Sequence, residues 1–112
     1  MKLITAIVKP DIADDLVHAV TEAGARGLTA TEVIGFGQQF GHGETVNSAG
    51  YSAALLPKIR VDIAVRDEDA GQVAEAITKC ANTGTIGDGK IWVSTLDSAL
   101  RVRTGERDDA AL

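Results

Sequence analysis

The 112-residue chain has one cysteine, two histidines, and only Phe36, Phe40, Tyr51 and Trp92 as aromatics. Cys80 cannot close an internal disulfide, and with His18 and His42 it cannot furnish a zinc set. Ile77 and Ala81 beside it point to the apolar side of a helix, where a structural thiol belongs. The few aromatics are too sparse for the paired stacking strands of an RNA-recognition sheet. Sixteen acids against eleven bases leave −5. Nucleic-acid binders need the opposite excess, so no nucleic-acid partner is expected. No window holds the roughly 18 apolar residues of a membrane span. The first apolar run ends at Lys9-Pro10, too early for a secretion signal, and the expected compartment is the cytoplasm. Neither a G-x-S-x-G elbow nor a Cys/His pair appears, so no catalytic residue is named.

What remains is an ordinary globular composition, 45% hydrophobic and 24% charged, at the size of one domain covering residues 1–112. Lys2 to Lys9 is β-branched and apolar, the pattern of a central strand. Asp11 is expected to cap a helix whose stripe is Ile12, Leu16, Ala19, Val20 and Ala23, closed by Gly24. Leu28 to Phe36 reads as a second strand. Lys58 to Arg66 alternates cleanly and reads as a third. Asp69 with Gln72 resembles a capping box for a second helix with Ala70, Val73, Ile77, Cys80 and Ala81 inward. Lys90 to Thr95 reads as the fourth strand.

The order β-α-β-β-α-β is that of an α+β ferredoxin-like fold: a four-stranded antiparallel sheet with two helices on one face. Two helices cover only one face of such a sheet, so a homo-oligomer is expected to cover the other. Between the second and third strands lies a polar, glycine-laden stretch, about 37–55, with neither helical nor strand period. Its length marks it as a functional loop.

Two basic features carry possible anion chemistry. Gly84, Gly89 and Lys90 fit G-x-x-x-x-G-K, but Ile91 stands where a P-loop needs Ser or Thr. The loop also follows a helix and opens a strand, the reverse of a P-loop. What survives is a turn rich in free backbone N–H groups beside a lysine, equally readable as a plain helix-to-strand connector. Arg101 and Arg103 are spaced i, i+2 and would project to one side of an extended chain, suiting a polyphosphate.

Residues Met1 through Pro10, Gly35-Phe36-Gly37, Thr83 through Val93 and Arg101 through Glu106 together resemble the PII nitrogen-regulatory signal-transduction family over essentially the whole chain. The resemblance implies a homotrimer binding ATP or ADP in clefts between subunits, with 2-oxoglutarate joining Mg-ATP. Carried over by position, Ile7, Thr29, Gly35, Asp62 and Ala64 would form the adenine pocket, with Gly37 a further nucleotide-binding residue. Gly87, Asp88, Gly89 and Lys90 of the glycine-rich loop, about 82–90, would meet the phosphates. Arg101 and Arg103, from the terminal segment about 97–112, would reach them from the adjacent subunit. Gln39 would ligate magnesium, and 2-oxoglutarate would meet Gln39, Gly41, Lys58 and Gly87. The stretch 37–55 corresponds to the family's partner-binding T-loop, with Tyr51 as a candidate modification site.

The departures lie mostly in that loop. Val46-Asn47-Ser48-Ala49-Gly50-Tyr51 stands where the family commonly has Tyr-Arg-Gly-Ala-Glu-Tyr. Asn47 replaces the arginine used to plug an ammonium channel, which argues against that partner. Phe40 replaces a basic residue, and Asp62 a longer Glu. Two rivals follow: a divergent PII-like paralogue that binds adenine nucleotide without 2-oxoglutarate or the usual partner, and a small phosphate-handling enzyme on the same fold.

Overall fold

The computed structural model describes residues 1–37 and 55–112. Gln39, Phe40, Gly41, His42, Asn47 and Tyr51 lie outside the described residues. The first strand, β1, spans Lys2–Val8, and its alternate residues Ile4, Ala6 and Val8 are fully buried. Pro10–Ile12 then makes a single 3-10 turn, and α1 runs Ala13–Glu22. Pro10 suits this entry, because its fixed φ and missing N–H belong in a first turn. Asp11 does not cap the helix as expected. It sits inside the 3-10 turn, and Ile12 takes the N-cap position without a side-chain hydrogen bond. Asp14 and Asp15 still occupy the first turn, where carboxylates complement the helix dipole.

The remaining elements are β2 at Thr29–Gly35, β3 at Leu56–Val65, α2 at Asp67–Ala81 and β4 at Gly89–Thr95. The helix α2 starts earlier than a capping box at Asp69 and Gln72 requires, with Arg66 at its N-cap and no side-chain cap. Those two residues perform a different task. The buried Asp69 carboxylate accepts from Arg66 Nε at 2.9 Å and Gln72 Nε2 at 3.2 Å. Gln72 Nε2 also donates to the Ala23 carbonyl at 2.7 Å, tying the start of α2 to the end of α1.

The strands order β2-β3-β1-β4, every neighbouring pair antiparallel. This is the ferredoxin-like arrangement expected. Ile4, Ala6 and Val8 of β1 and Val61, Ile63 and Val65 of β3 pack against Leu16 and Val20 of α1 and Val73 and Ile77 of α2. One core results, on one face. Cys80 is partly buried against it, and burial pushes its thiol above the ordinary value, with Asp15 adding to the shift. His18 is exposed on α1. On the opposite face stand Leu3, Thr5, Ile7, Asp62, Ala64 and Trp92, set there by strand alternation and register. Both helices lie on the other face; on this one Trp92 is 44% exposed, while Thr5 is buried and donates to Asp62.

After β4 the segment folds back on itself. Leu100 pairs with Arg107, Asp108 N–H donates to the Ala99 carbonyl at 2.9 Å, and a 3-10 turn covers Asp108–Ala111.

Truncating a side chain should cost stability only where that side chain is buried, even among residues on the helix-side face of the sheet. Ile63→Ala, at a fully buried position, should lose about 2–5 kcal/mol. Ile34→Ala, 68% exposed on the edge strand, should change stability by less than about 0.5 kcal/mol. Urea titration of both variants measures the contrast.

Candidate functional site

At one end of the sheet the start of β3, the end of β1 and the loop entering β4 meet. The register sets Ile7 opposite both Arg60 and Lys90, so Ile7 and Lys90 share the open face. Around them is a cavity of about 510 Å³ lined by Gly35, Phe36, Gly37, Lys58, Thr85 and Ile86 as well as Ile7 and Gly87 through Lys90. Most of the expected phosphate and 2-oxoglutarate residues among those described are therefore together. A second groove, about 480 Å³, lies along Pro10, Ile34, Pro57 and Ile59. Glu32 and Lys58 also line it, but the carboxylate disfavours an anion and no glycine-loop N–H groups converge there, so it is the weaker candidate for an anion.

Gly89 is the hinge of the arrangement. Its φ is +117°, and a Cβ there would sit 2.0 Å from the Ile7 carbonyl oxygen. Only glycine allows β4 to begin this close to β1. Gly87, at φ +102°, turns the preceding peptide. Its carbonyl accepts from Lys58 Nζ at 3.0 Å, so the lysine stem is buried and its head ties β3 to the loop. Burial lowers the Lys58 pKa from 10.5, the nearby Lys9 ammonium lowers it further, and Asp88 opposes both. An ammonium has three donors, and the Gly87 carbonyl takes one.

The Asp88 carboxylate is turned into its own loop. It accepts from the backbone N–H groups of Thr83 and Gly84 at 2.7 and 2.9 Å, from the Thr83 hydroxyl, and from Lys9 Nζ at 3.3 Å. The Thr83 hydroxyl and N–H hold its pKa far below the ordinary 3.8, with Lys9 and the Gly84 N–H assisting.

The adenine-side residues are on the same open face but not all in the cavity. Thr29 pairs with Asp62 and Ala64 pairs with Leu3, farther along the sheet than Ile7 and Gly35. Asp62 is already occupied. It accepts from Thr5 Oγ1 at 2.8 Å and from Arg60 Nε at 3.0 Å. Arg60 is the main cause of its lowered pKa, burial opposes the shift, and Thr5 adds to it.

Arg101 and Arg103 do not form the extended pair expected. Residues 102–104 are a turn, closed by Gly105 N–H donating to the Arg101 carbonyl at 2.8 Å. Arg101 Nη1 donates to Glu106 Oε1 and Nη2 to the Leu112 carbonyl, each at 3.0 Å. Gly105, at φ +73°, permits the reversal that an extended reading of the arginines overlooked. Arg103 is exposed, and neither arginine lines the cavity.

Sequence reasoning missed the Lys9 contact with Asp88 and Thr85, and the Phe36 and Ile86 walls. Lys9 gave no local signal, because only sheet order sets it beside a loop far along the chain. The Thr83 to Asp88 bond was findable, since Thr and Asp near a glycine turn commonly bond local backbone.

A family model for "Nitrogen regulatory protein P-II" matches residues 1–106. The chain belongs to the P-II family. It is 48% identical over 112 residues to "Nitrogen regulatory protein GlnK" of Escherichia coli strain K12, covering the whole of both chains. It is 47% identical over 112 residues to "Nitrogen regulatory protein P-II" of Rhizobium etli, again covering both completely. A protein of the same name from Rhizobium meliloti is 48% identical over 106 residues, 95% of each. P-II membership makes the chain a regulatory signal protein and not an enzyme, which removes the phosphate-handling alternative. No helix among the described residues is long and apolar enough to cross a membrane.

Two consequences are measurable. Gly89→Ala should lose at least about 1–3 kcal/mol, the cost of a strained φ alone, before the displacement of β4 is added. Thermal unfolding of the variant measures it. Asp88 is more acidic folded than unfolded, so its contribution is full above the ordinary 3.8 and falls away as pH drops below it. Asp88→Asn should therefore be less stable than wild type at pH 7, with the gap shrinking in acid, read from melting temperatures against pH.

Proposed function

We propose that this P-II protein is a homotrimeric sensor of ATP, ADP and 2-oxoglutarate that signals to a nitrogen-metabolism partner through the loop at 37–55, in the cytoplasm. The observation that carries the reading is the meeting of the glycine loop, Lys58 and Lys90 with Ile7 and Gly35 around one cavity. Backbone N–H groups from Gly87 to Lys90 and the Lys90 ammonium suit phosphate oxygens. Ile7 and Ala64 offer an apolar surface for a base. Arg101 and Arg103 lie away from this cavity in their own chain, which fits delivery into a neighbour's cavity across a subunit boundary. Arg101 would first have to leave Glu106 and the Leu112 carbonyl.

Trimerisation would cover the open sheet face, where Trp92 is 44% exposed. It would also complete each site with a second chain's arginines. Lys58 supports 2-oxoglutarate binding, because its ammonium stands near Lys9 and an added carboxylate relieves the repulsion. Magnesium would come with the nucleotide. Gln39 is the side chain proposed to hold it and lies outside the described residues; among those described, no group of three or more His, Cys, Asp or Glu is placed to hold a metal. A magnesium site with one protein oxygen and phosphate oxygens is the ordinary kind. The cation would fix the phosphate oxygens in place and neutralise their charge.

Signalling requires the ligands to stabilise two loop arrangements differently. ATP with 2-oxoglutarate would draw Gln39 inward, and ADP would leave the loop free to meet its partner. Tyr51 is the proposed modification site on that loop. The sequence Val46-Asn47-Ser48-Ala49-Gly50 favours a second reading, a divergent relative that binds adenine nucleotide but not 2-oxoglutarate, and Asn47 argues against an ammonium channel as partner.

Calorimetric titration decides between these readings. ATP should bind, and 2-oxoglutarate should bind only with Mg-ATP present; ATP binding without any 2-oxoglutarate response selects the divergent relative. Lys90→Ala and Arg103→Ala should each weaken ATP by about 1.5–3 kcal/mol, the scale of a hydrogen bond to a charged group. Light scattering should return three times the 11.6 kDa chain mass. A monomer that binds ATP with wild-type affinity would overturn the shared site.

A further inference from the structure

The loop between α2 and β4 spends its first half on a carboxylate of its own chain. Asp88 Oδ2 accepts from two successive backbone N–H groups, those of Thr83 and Gly84. Oδ1 accepts from the Thr83 hydroxyl, from the Thr85 hydroxyl at 3.4 Å and from Lys9 Nζ at 3.3 Å. The Gly84 N–H is shared with Asn82 Oδ1 at 2.8 Å, which accepts from the other side. Gly84, at φ +78°, permits the turn that aims its N–H inward. Consecutive N–H groups, two hydroxyls and an ammonium converging on one point form the donor set of an anion site. The anion here is covalently attached.

The geometry points to Asp88 as a positioning residue that fills the loop's internal anion site, so that only the half from Gly87 to Lys90 is left to meet an incoming phosphate. Its place in nucleotide binding rests on the function proposed above, whereas its occupancy of the Thr83–Gly84 site does not. Two physical consequences follow. The negative charge of Asp88 is matched by Lys9 and four local donors, so it does not repel a phosphate as a free carboxylate beside the cavity would. The same bonds pin Gly84 to Asp88 across the loop and set the angle at which Gly87 and Gly89 present their N–H groups. Without the carboxylate, a mobile anion of similar size should be able to take its place.

Formate is the probe for that vacancy, applied to full-length Asp88→Ala and read by residue-resolved amide hydrogen exchange. Thr83 and Gly84 should exchange at least about tenfold faster than in wild type, while Ile4 and Ile63 in the core stay protected. About 100 mM formate should restore protection at Thr83 and Gly84, equal chloride should not, and neither salt should alter wild type. Asp88→Asn keeps an acceptor oxygen but loses the charge, and should fall between the two. Unchanged exchange at Thr83 and Gly84, failure of formate to restore it, or equal loss of protection at Ile4 and Ile63 would each overturn the assignment. In the same samples ATP should bind Asp88→Ala at least about tenfold more weakly, with formate recovering most of the loss. Wild type failing to bind ATP would overturn the nucleotide reading alone, leaving the exchange result to judge Asp88.

Discussion

The approach of Gly89 to the Ile7 carbonyl governs how the functional end of this molecule is built. A side chain at residue 89 would occupy the space of that oxygen, so β4 can begin where it does only because the residue is glycine. Its pairing with β1 then sets Lys90 opposite Ile7 and brings the whole loop from Asn82 to the edge of the open face. The Lys58 bond to Gly87 braces the same loop from β3. A loop of three positive-φ glycines would otherwise lose much conformational entropy on ordering. Here the sheet, one lysine and one aspartate share that cost.

Charge is distributed more finely than the chain's net −5 suggests. Lys9, Lys58 and Asp88 form a compact group in which the two ammoniums repel and the carboxylate holds them together. The group places a net positive charge at this end of an otherwise acidic protein. Removing either lysine leaves Asp88 or the Gly87 carbonyl short of a donor, so charge and loop shape are not separable. Many of the acids are spent elsewhere: Asp67, Glu68 and Asp69 open α2, and Glu106 holds Arg101.

The uncovered sheet face and the folded-back terminal segment belong to the same problem. Both present exposed groups: Trp92 on the face, Arg103 and the almost wholly exposed Val102 on the segment. The proposed trimer would give each a partner, and P-II family membership is compatible with that economy.

How far the sequence alone reached can be traced residue by residue. Alternation in Ile59, Val61, Ile63 and Val65 and the spacing of Leu16, Val20, Val73 and Ile77 determined strands, helices and the face each buries, because burial imposes those periods on any chain. The motifs at both ends and in the glycine loop determined the family. The helix starts were misjudged: Asp11 and Asp69 are good capping residues, but cap position depends on where the backbone first turns, not on residue type alone. Arg101 and Arg103 looked paired because spacing implies a common side only in an extended chain, and Gly105 reverses this one. Lys9 beside Asp88, Thr5 upon Asp62, and Lys58 on Gly87 were decided only in three dimensions. Each joins groups whose partners are chosen by strand order and side-chain reach, and a linear sequence carries no local record of either.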